Sequence, residues 1–186
     1  MRLVTDTIAA APAVPTPVPT PVPPAGSEAG TEQDARWLTA AVDLATRNVA
    51  EGGGPFGAVV VVDGRVVGTG QNRVTRDLDP TAHAEVQAIR DACRALGTFS
   101  LAGATMYTSC EPCPLCLAAT LWARVDRVVF AADRHDAARA GFDDSAFYAL
   151  FAQDRATWSM PVVAHRVDGA DAPMRAWLDL TERVRY

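Results

Sequence analysis

Three of the four cysteines of this chain lie in one short stretch, residues 107–119, which reads Y-T-S-C-E-P-C-P-L-C-L-A-A. They are Cys110, Cys113 and Cys116. Thiols this close together can form a disulfide, act as a redox pair or bind a metal ion. The prolines beside Cys113 indicate a helix start, where the helix dipole lowers the pKa of nearby thiols. The Cys-x-x-Cys spacing alone leaves these possibilities open.

A histidine on the preceding predicted helix favours the metal site. The stretch T-A-H-A-E-V at residues 81–86 contains His83 and Glu85, and the sequence has no separate second Cys-x-x-Cys pair for a four-sulfur zinc site, since Cys110 and Cys116 both share Cys113 as their partner. His83, Cys113 and Cys116 would supply three zinc ligands and leave a fourth position for water, as catalytic zinc sites do. A structural site would need Cys110 as the fourth ligand. We expect Cys110 instead in the turn, with its backbone near a substrate.

Glu85 is the predicted catalytic residue, because it follows His83 by two positions and can reach the zinc-bound water without binding zinc. It would take a proton from that water and pass it to a leaving nitrogen. His-x-Glu followed by Pro-Cys-x-x-Cys is the signature of zinc deaminases. Cys93 is predicted to pack in the interior. His135 and His165 have no motif partner and are predicted to be surface or structural residues.

Hydrophobic periodicity and turn signals predict the elements that position these residues. An Asp-Gly turn between two valine-rich runs indicates a β-hairpin. Helices are predicted at 31–50, with Thr31 as the N-cap, and at 81–96, 113–123, 144–152 and 173–183; strands are predicted at 57–63, 65–71, 105–108, 125–131 and 159–167. This order predicts a mixed sheet with helices on both faces, a three-layer α/β/α fold.

The composition is that of one globular domain with an unusual leader. The chain has 186 residues, of which 49% are hydrophobic and 21% charged, and a net charge of −5. The acidic balance argues against nucleic acid as a partner. No apolar run is long enough to span a bilayer, so no membrane partner is expected. Reduced thiols that bind metal predict a cytoplasmic location.

The leader, residues 1–30, is rich in proline. Residues 11–24 hold seven of the 13 prolines in the chain. Such a stretch is predicted to be extended and without a core, either a disordered leader or a docking ligand for an aromatic groove. A signal peptide is not expected, because the prolines break the apolar run and Arg2 is the only early positive charge. The deaminase domain is therefore predicted to span residues 31–186.

The motifs together resemble the cytidine deaminase superfamily and, within it, the small bacterial guanine deaminases. The stretches that carry the resemblance are G-G-P-F-G-A-V-V at 53–60, G-Q-N-R-V at 70–74, D-P-T-A-H-A-E-V-Q-A-I-R at 79–90, residues 107–116, W-A-R at 122–124 and A-G-F-D-D-S at 140–145. The zinc motifs are general to the superfamily. The A-G-F-D-D-S stretch and Tyr186 resemble the guanine branch more narrowly.

This resemblance implies a five-stranded cytidine deaminase-like sheet, a homodimer with swapped C-terminal segments, and hydrolytic deamination of guanine to xanthine and ammonia. It also implies a set of substrate contacts. Phe56 and Trp122 would pack against the purine, Asn72 would hydrogen-bond its edge, the backbone at Ala84 would hold the ring, Asp144 would read the amino side or move protons, and Tyr186 would cap the neighbouring pocket.

Alternatives remain for residues and substrate. The aromatic residues are also explained by core packing and Asn72 by a turn. A helix cap formed by Asp143 or Asp144 would explain that site, and a frayed terminus would explain Tyr186. The zinc site itself does not distinguish guanine from guanosine, cytosine, cytidine or another amino-heterocycle. Deamination of adenosine in tRNA is disfavoured by the acidic composition. A non-catalytic binding module is disfavoured by Glu85 beside a three-ligand site.

Overall fold

The computed structural model describes residues 28–185, with side chains from residue 32 onward. The proline-rich stretch and Tyr186 therefore lie outside the described residues, as does the side chain of Thr31. Within the described residues no helix is long and apolar enough to cross a membrane.

Four strands form one mixed sheet in the described part of the chain. They are β1 (Gly57–Val62), β2 (Arg65–Gln71), β3 (Thr105–Cys110) and β4 (Arg127–Ala132), in the order β2-β1-β3-β4. The hairpin pair β1–β2 and the pair β1–β3 are antiparallel, whereas β3 and β4 are parallel. Because β3 and β4 run in the same direction, the helix between them has to cross back over the sheet. The hairpin predicted from Asp63-Gly64 is confirmed.

The described residues also form seven α-helices. They are α1 (Glu28–Ala50), α2 (Val74–Asp77), α3 (Ala84–Leu96), α4 (Pro114–Trp122), α5 (Arg134–Arg139), α6 (Ser145–Phe151) and α7 (Ala172–Asp179), with a short 3-10 helix at Arg155–Thr157. The sequence predicted α1, α3, α4, α6 and α7 but not α2 or α5.

Alternating side chains of β1 build two separate cores. Ala58 and Val60 pack with the alanines of α3, whereas Val59 and Val61 pack with Trp37 of α1. Side chains of a strand alternate between the two faces of its sheet, so α1 and α3 cover opposite faces. This confirms the predicted three-layer α/β/α arrangement.

The strand count and several boundaries differ from the predictions, and the final helix ends at Asp179 rather than at residue 183. The sheet has four strands and not five, since residues 159–167 form no strand. The apolar run there indicated a strand, but strand formation also requires a partner for the backbone groups, and no ladder joins this segment to the described sheet. The first described helix begins at Glu28, so Thr31 lies inside it rather than capping it. Helix α3 begins at Ala84, with His83 as its N-cap, rather than at Thr81.

Candidate active site

The starts of two helices bring His83, Cys113 and Cys116 together. His83 is the N-cap of α3 and Cys113 is the N-cap of α4, both with extended backbone, and Cys116 lies in the first turn of α4. Pro114 at the first position of α4 suits a helix start, because the missing N–H would have no partner there. The Sγ atoms of both cysteines lie 3.5 Å from His83 Nδ1.

These three side chains fit a zinc ion. Zinc bonds of about 2.0–2.1 Å to nitrogen and 2.3 Å to sulfur at tetrahedral angles place nitrogen and sulfur roughly 3.6 Å apart. The two observed distances of 3.5 Å match this requirement. All three ligand atoms lie within 4.8 Å of one another, and no fourth residue joins the group in the described chain. A fourth position is therefore left for a non-protein ligand, as in catalytic zinc sites.

The two thiols also have the electrostatic properties of metal ligands. A hydrogen bond from Cys116 lowers the pKa of the Cys113 thiol to about 4. The same interaction raises the pKa of the Cys116 thiol. The hydrogen bond with Cys113 raises the pKa of His83. Because the thiolate is the form that binds metal, one sulfur is already prepared for it.

Glu85 lies in the first turn of α3, two residues after His83, and its side chain is only 6% exposed. Burial raises the pKa of its carboxyl above the ordinary value. A carboxyl group with a raised pKa exchanges protons more easily near neutral pH, which suits a general acid–base role.

A cavity of about 710 Å³ opens onto His83, Glu85 and Cys113. Two parts of its lining are the loop before β1 and the segment between α5 and α6, and further lining residues come from α1, α2, β3, α5 and α6. The aromatic rings of Phe56 and Phe142 meet across these parts edge to face, with centroids 5.0 Å apart. A cavity with apolar walls and a few polar groups is typical of a small-molecule site.

Three of the six predicted substrate-contact residues line this cavity. They are Phe56, Asn72 and Asp144. Ala84 is fully buried beside Glu85, and Trp122 is 65% exposed at the end of α4; neither lines the cavity of the single described chain. Tyr186 lies outside the described residues. The roles of all six in substrate binding stay predictions.

Asn72 is held in a defined orientation. Its Oδ1 atom accepts a hydrogen bond from the Val74 N–H at 3.3 Å, and its main-chain oxygen accepts one from Asn48 Nδ2 at 2.7 Å. Since Val74 engages the amide oxygen, the amide NH₂ group is the part of Asn72 that can donate to a ligand. The turn expected at this position is therefore compatible with a binding role.

Asp144 precedes α6 and lies at the cavity wall. It is the N-cap residue of that helix, but its side chain makes no capping hydrogen bond. The neighbouring Asp143 instead accepts a hydrogen bond from the Ser145 N–H at 2.9 Å. Burial raises the pKa of Asp144. The helix-cap explanation thus fits Asp143 better and leaves the Asp144 carboxyl available to the cavity.

The remaining cysteines and histidines lie outside the metal-binding group. Cys110 ends β3, is buried, and donates a long hydrogen bond to the Asp133 carbonyl at 3.5 Å, while burial raises its pKa to about 11. It lines the cavity, near the position expected for it. Cys93 lies on α3, is only partly buried and packs against the core cluster that contains Ala88 and Ala92. His135 and His165 are exposed.

Sequence reasoning missed several residues at this site. Phe142, Glu111 and Arg134 line the cavity, and Tyr148 touches the cysteine loop. One available signal was the Asp133–Asp136 spacing, which forms a capping box at the start of α5. This spacing predicts a helix start, and it would have placed Arg134 in the first turn of a helix that follows β4.

The site and the fold together have the features of a deaminase of the cytidine deaminase-like class, with a three-residue group that fits zinc. The family profile described as the zinc-binding region of cytidine and deoxycytidylate deaminases matches residues 31–132, more than half of the chain. The chain therefore belongs to this family.

The comparisons also place the chain near one branch of the family. It is 46% identical over 151 residues to the guanine deaminase of Bacillus subtilis, covering 81% of this chain and 97% of that protein. The X-ray structure of the Bacillus subtilis guanine deaminase superposes with a TM-score of 0.79 and covers 82% of this chain and 98% of the other. A tRNA-specific adenosine deaminase of Bacillus subtilis is 40% identical over 100 residues, covering 54% of this chain and 62% of that protein.

Proposed function

We propose that this protein is a hydrolase that converts guanine and water to xanthine and ammonia. The observation that carries the proposal is the 46% identity to a guanine deaminase, which extends over 97% of that protein's length. The match therefore includes the segment between α5 and α6, which forms one wall of the cavity.

His83, Cys113 and Cys116 would hold the zinc ion. When bound, zinc supplies Lewis acidity, which makes water nucleophilic at neutral pH. The buried Glu85 carboxylate accepts a proton from the attacking water and later donates it to the departing amino nitrogen. In the balanced reaction a C–O bond forms at C2 of the ring, the C–N bond at that carbon breaks, and ammonia leaves.

Other cavity residues would bind and orient the purine. The rings of Phe56 and Phe142 offer apolar surfaces, and the Asn72 amide NH₂ offers a donor to a ring acceptor. Asp144, whose pKa burial raises, lies where it can accept a hydrogen bond from the amino group or relay a proton. We keep Ala84 as a backbone contact in this proposal.

A homodimer with swapped C-terminal segments forms part of the proposal. Several apolar side chains after α6 are exposed in the single described chain, including Val163 at 81% and Met174 at 64%. Trp122 on α4 is also 65% exposed. A second copy would cover such surfaces and bring Tyr186 to the partner's cavity. Because zinc-binding thiols must stay reduced, we place the enzyme in the cytoplasm.

Other substrates are the main alternative. An amino-heterocycle or nucleoside such as guanosine, cytosine or cytidine would use the same zinc chemistry. Editing of adenosine in tRNA is less favoured, because that relative matches only 54% of this chain and the net charge of −5 opposes a phosphate backbone.

The experiment is ammonia release from guanine, guanosine, adenine, cytosine and cytidine by zinc-loaded protein. The Glu85→Ala variant, loaded with zinc to the same level, controls for contaminating deaminases. Turnover confined to guanine supports the proposal. Turnover of a nucleoside or another base, lost in the variant, would keep the zinc chemistry and remove the guanine assignment.

A further inference from the structure

Four residues form a continuous chain of contacts between the cysteine loop and the cavity wall. We name Glu111, Pro112, Arg134 and Tyr148 the loop clamp. Glu111 and Pro112 lie between Cys110 and Cys113, Arg134 starts α5, and Tyr148 lies on α6. The clamp therefore joins the loop that carries a zinc ligand to the two helices that flank the A-G-F-D-D-S stretch.

Glu111 and Arg134 make the first part of this clamp. Glu111 Oε2 accepts hydrogen bonds from the main-chain N–H of Arg134 at 3.1 Å and from its Nε at 3.0 Å, and Oε1 pairs with Nη2. Such two-pronged pairing fixes direction as well as distance. The Glu111 carboxylate also satisfies a helix-terminal N–H that has no partner within α5.

Tyr148 makes the second part. The Arg134 guanidinium stacks over its ring, with Cζ 4.1 Å from the centroid. The Tyr148 hydroxyl donates a hydrogen bond of 2.7 Å to the carbonyl of Pro112. Pro112 directly precedes Cys113, so α6 restrains the peptide that sets the position of this sulfur. Phe147 directly precedes Tyr148, and the Asp144 carbonyl accepts a hydrogen bond from the Tyr148 N–H at 3.4 Å, so Tyr148 is joined to two residues that line the cavity.

We infer that Arg134 and Tyr148 are positioning residues that hold the Cys113 sulfur in its metal-binding place and, through the same contacts, hold the Asp144 wall against the cavity. The inference deepens the proposed deaminase function by adding residues outside the metal-binding group that fix the loop and the cavity wall on which the functional groups lie. Partners that orient metal ligands from outside typically change metal affinity or activity 10–100-fold when removed.

Two conservative substitutions test this inference. Tyr148→Phe keeps the ring beneath Arg134 and deletes only the bond to Pro112. Arg134→Lys keeps the positive charge and deletes the two-pronged pairing and the stacking. The matched controls are Tyr107→Phe, which loses a hydroxyl bond to Asp34, and Arg139→Lys, which changes an exposed arginine of the same helix.

The primary measurement is the rate at which zinc passes from the full-length protein to a chromogenic chelator, with folding checked by circular dichroism. We expect each test variant to release zinc roughly 10-fold faster than wild type, and each control to release it at the wild-type rate. In the double variant, the fold increase in the zinc-release rate should be smaller than the product of the two single fold increases, because both residues act through one loop.

Guanine turnover gives the second readout. If the clamp also holds the Asp144 wall, Tyr148→Phe raises KM for the substrate even when its zinc content is restored to that of wild type. Zinc release does not depend on which base is deaminated, so a wrong guanine assignment leaves the primary test intact. The inference would be overturned if the test variants released zinc at the rate of the controls. It would also be overturned if the fold increase in the double variant equalled the product of the two single fold increases.

Discussion

At the scale of single residues, the buried position of Glu85 beside the candidate zinc ligands suits the catalytic role proposed for it. A carboxyl side chain that is 6% exposed would ordinarily need a charged or hydrogen-bonding partner to offset its burial. Glu85 has such neighbours in Cys116 and His83, yet burial still raises the pKa of its carboxyl. Its environment suits a group that gains and loses a proton during each turnover.

The first prediction concerns this carboxyl. Glu85→Gln removes the exchangeable proton site with little change in volume, so we expect kcat to fall by about 10²–10⁴ while zinc stays bound at wild-type stoichiometry. Steady-state ammonia release and metal analysis check both parts. Glu51→Gln, a change in a surface ion pair with Arg76, is the control and should retain the wild-type rate. A Glu85→Gln enzyme with near-normal kcat would exclude the proton-transfer role.

The sequence allowed the metal group to be predicted but not the loop clamp. Few residue types bind zinc, and the spacing of His83, Cys113 and Cys116 further reduces the number of residues in the sequence that could be zinc ligands. Arg134 and Tyr148 carry no comparable restriction, because arginine and tyrosine are common on protein surfaces. Their contacts join residues 23 and 36 positions apart, and a pairing across that distance leaves no periodic signal in one sequence.

At the scale of elements, helix α3 can carry the site only because strand β2 lets it approach closely. A Cβ atom at Gly70 would lie 1.9 Å from the Ala84 carbonyl oxygen, at the start of α3. A Cβ atom at Gly68 would lie 2.5 Å from the Ala92 nitrogen, farther along the same helix. Both glycines give room for the helix, but only Gly70 faces the end that carries His83 and Glu85.

The second prediction separates these two glycines. Both Gly70→Ala and Gly68→Ala should lower the free energy of unfolding by about 1–3 kcal/mol through overpacking. Only Gly70→Ala should also lower zinc affinity and kcat, because it displaces the start of α3. Chemical denaturation and zinc titration measure the two effects. Equal zinc affinity in the two variants would contradict the close packing of β2 on the metal-binding end of α3.

Element boundaries could be predicted where a local turn motif determines them. They could not be predicted where hydrogen bonding to a distant strand determines them. The Asp-Gly turn fixed the hairpin of β1 and β2, because few residues adopt the backbone such a turn requires. The strand predicted at 159–167 was wrong, because an apolar run indicates burial against some surface without indicating a hydrogen-bonded neighbour. The short helix α5 was missed although its capping box is visible in the sequence.

A polar link between α1 and the sheet gives the third prediction. Asp34 on α1, whose side chain is 17% exposed, pairs with Arg127 of β4 and accepts a hydrogen bond from the Tyr107 hydroxyl of β3 at 2.8 Å. The Arg127 hydrogen bond lowers the pKa of Asp34 below its ordinary value. Burial, with the Asp34 contact, raises the pKa of Tyr107 to about 12, so its hydroxyl stays a donor.

The pKa of Asp34 is lower in the folded state than in the unfolded state, so the ionised carboxylate stabilises the folded protein at pH values above the unfolded pKa of about 4. This stabilisation is lost as the pH falls below that value. We expect Asp34→Asn to cost about 1–3 kcal/mol of unfolding free energy at neutral pH, and the difference from wild type to shrink below pH 4. Asp43→Asn, on the exposed side of the same helix, should show neither effect. A difference that stays constant with pH would contradict the ion pair.

At the scale of the whole molecule, the proposed swap makes each active site depend on two chains. The cavity of the single described chain holds the zinc-binding group and Glu85, while apolar side chains after α6 are left exposed. A C-terminal segment that crosses to the partner would cover these side chains and bring Tyr186 to a cavity whose Glu85 belongs to the other subunit. The two residues would then act in one site although they come from different copies.

The fourth prediction uses this dependence. Glu85→Ala and Tyr186→Ala should each be nearly inactive alone. Coexpressed in equal amounts, they should recover about a quarter of wild-type activity, because half of the dimers are mixed and each mixed dimer contains one intact site of two. The measurement is ammonia release by the copurified dimer, with mass determined by light scattering. Without a swap, each site of a mixed dimer takes both residues from one chain. One site would then lack Glu85 and the other would lack Tyr186, so activity would not recover.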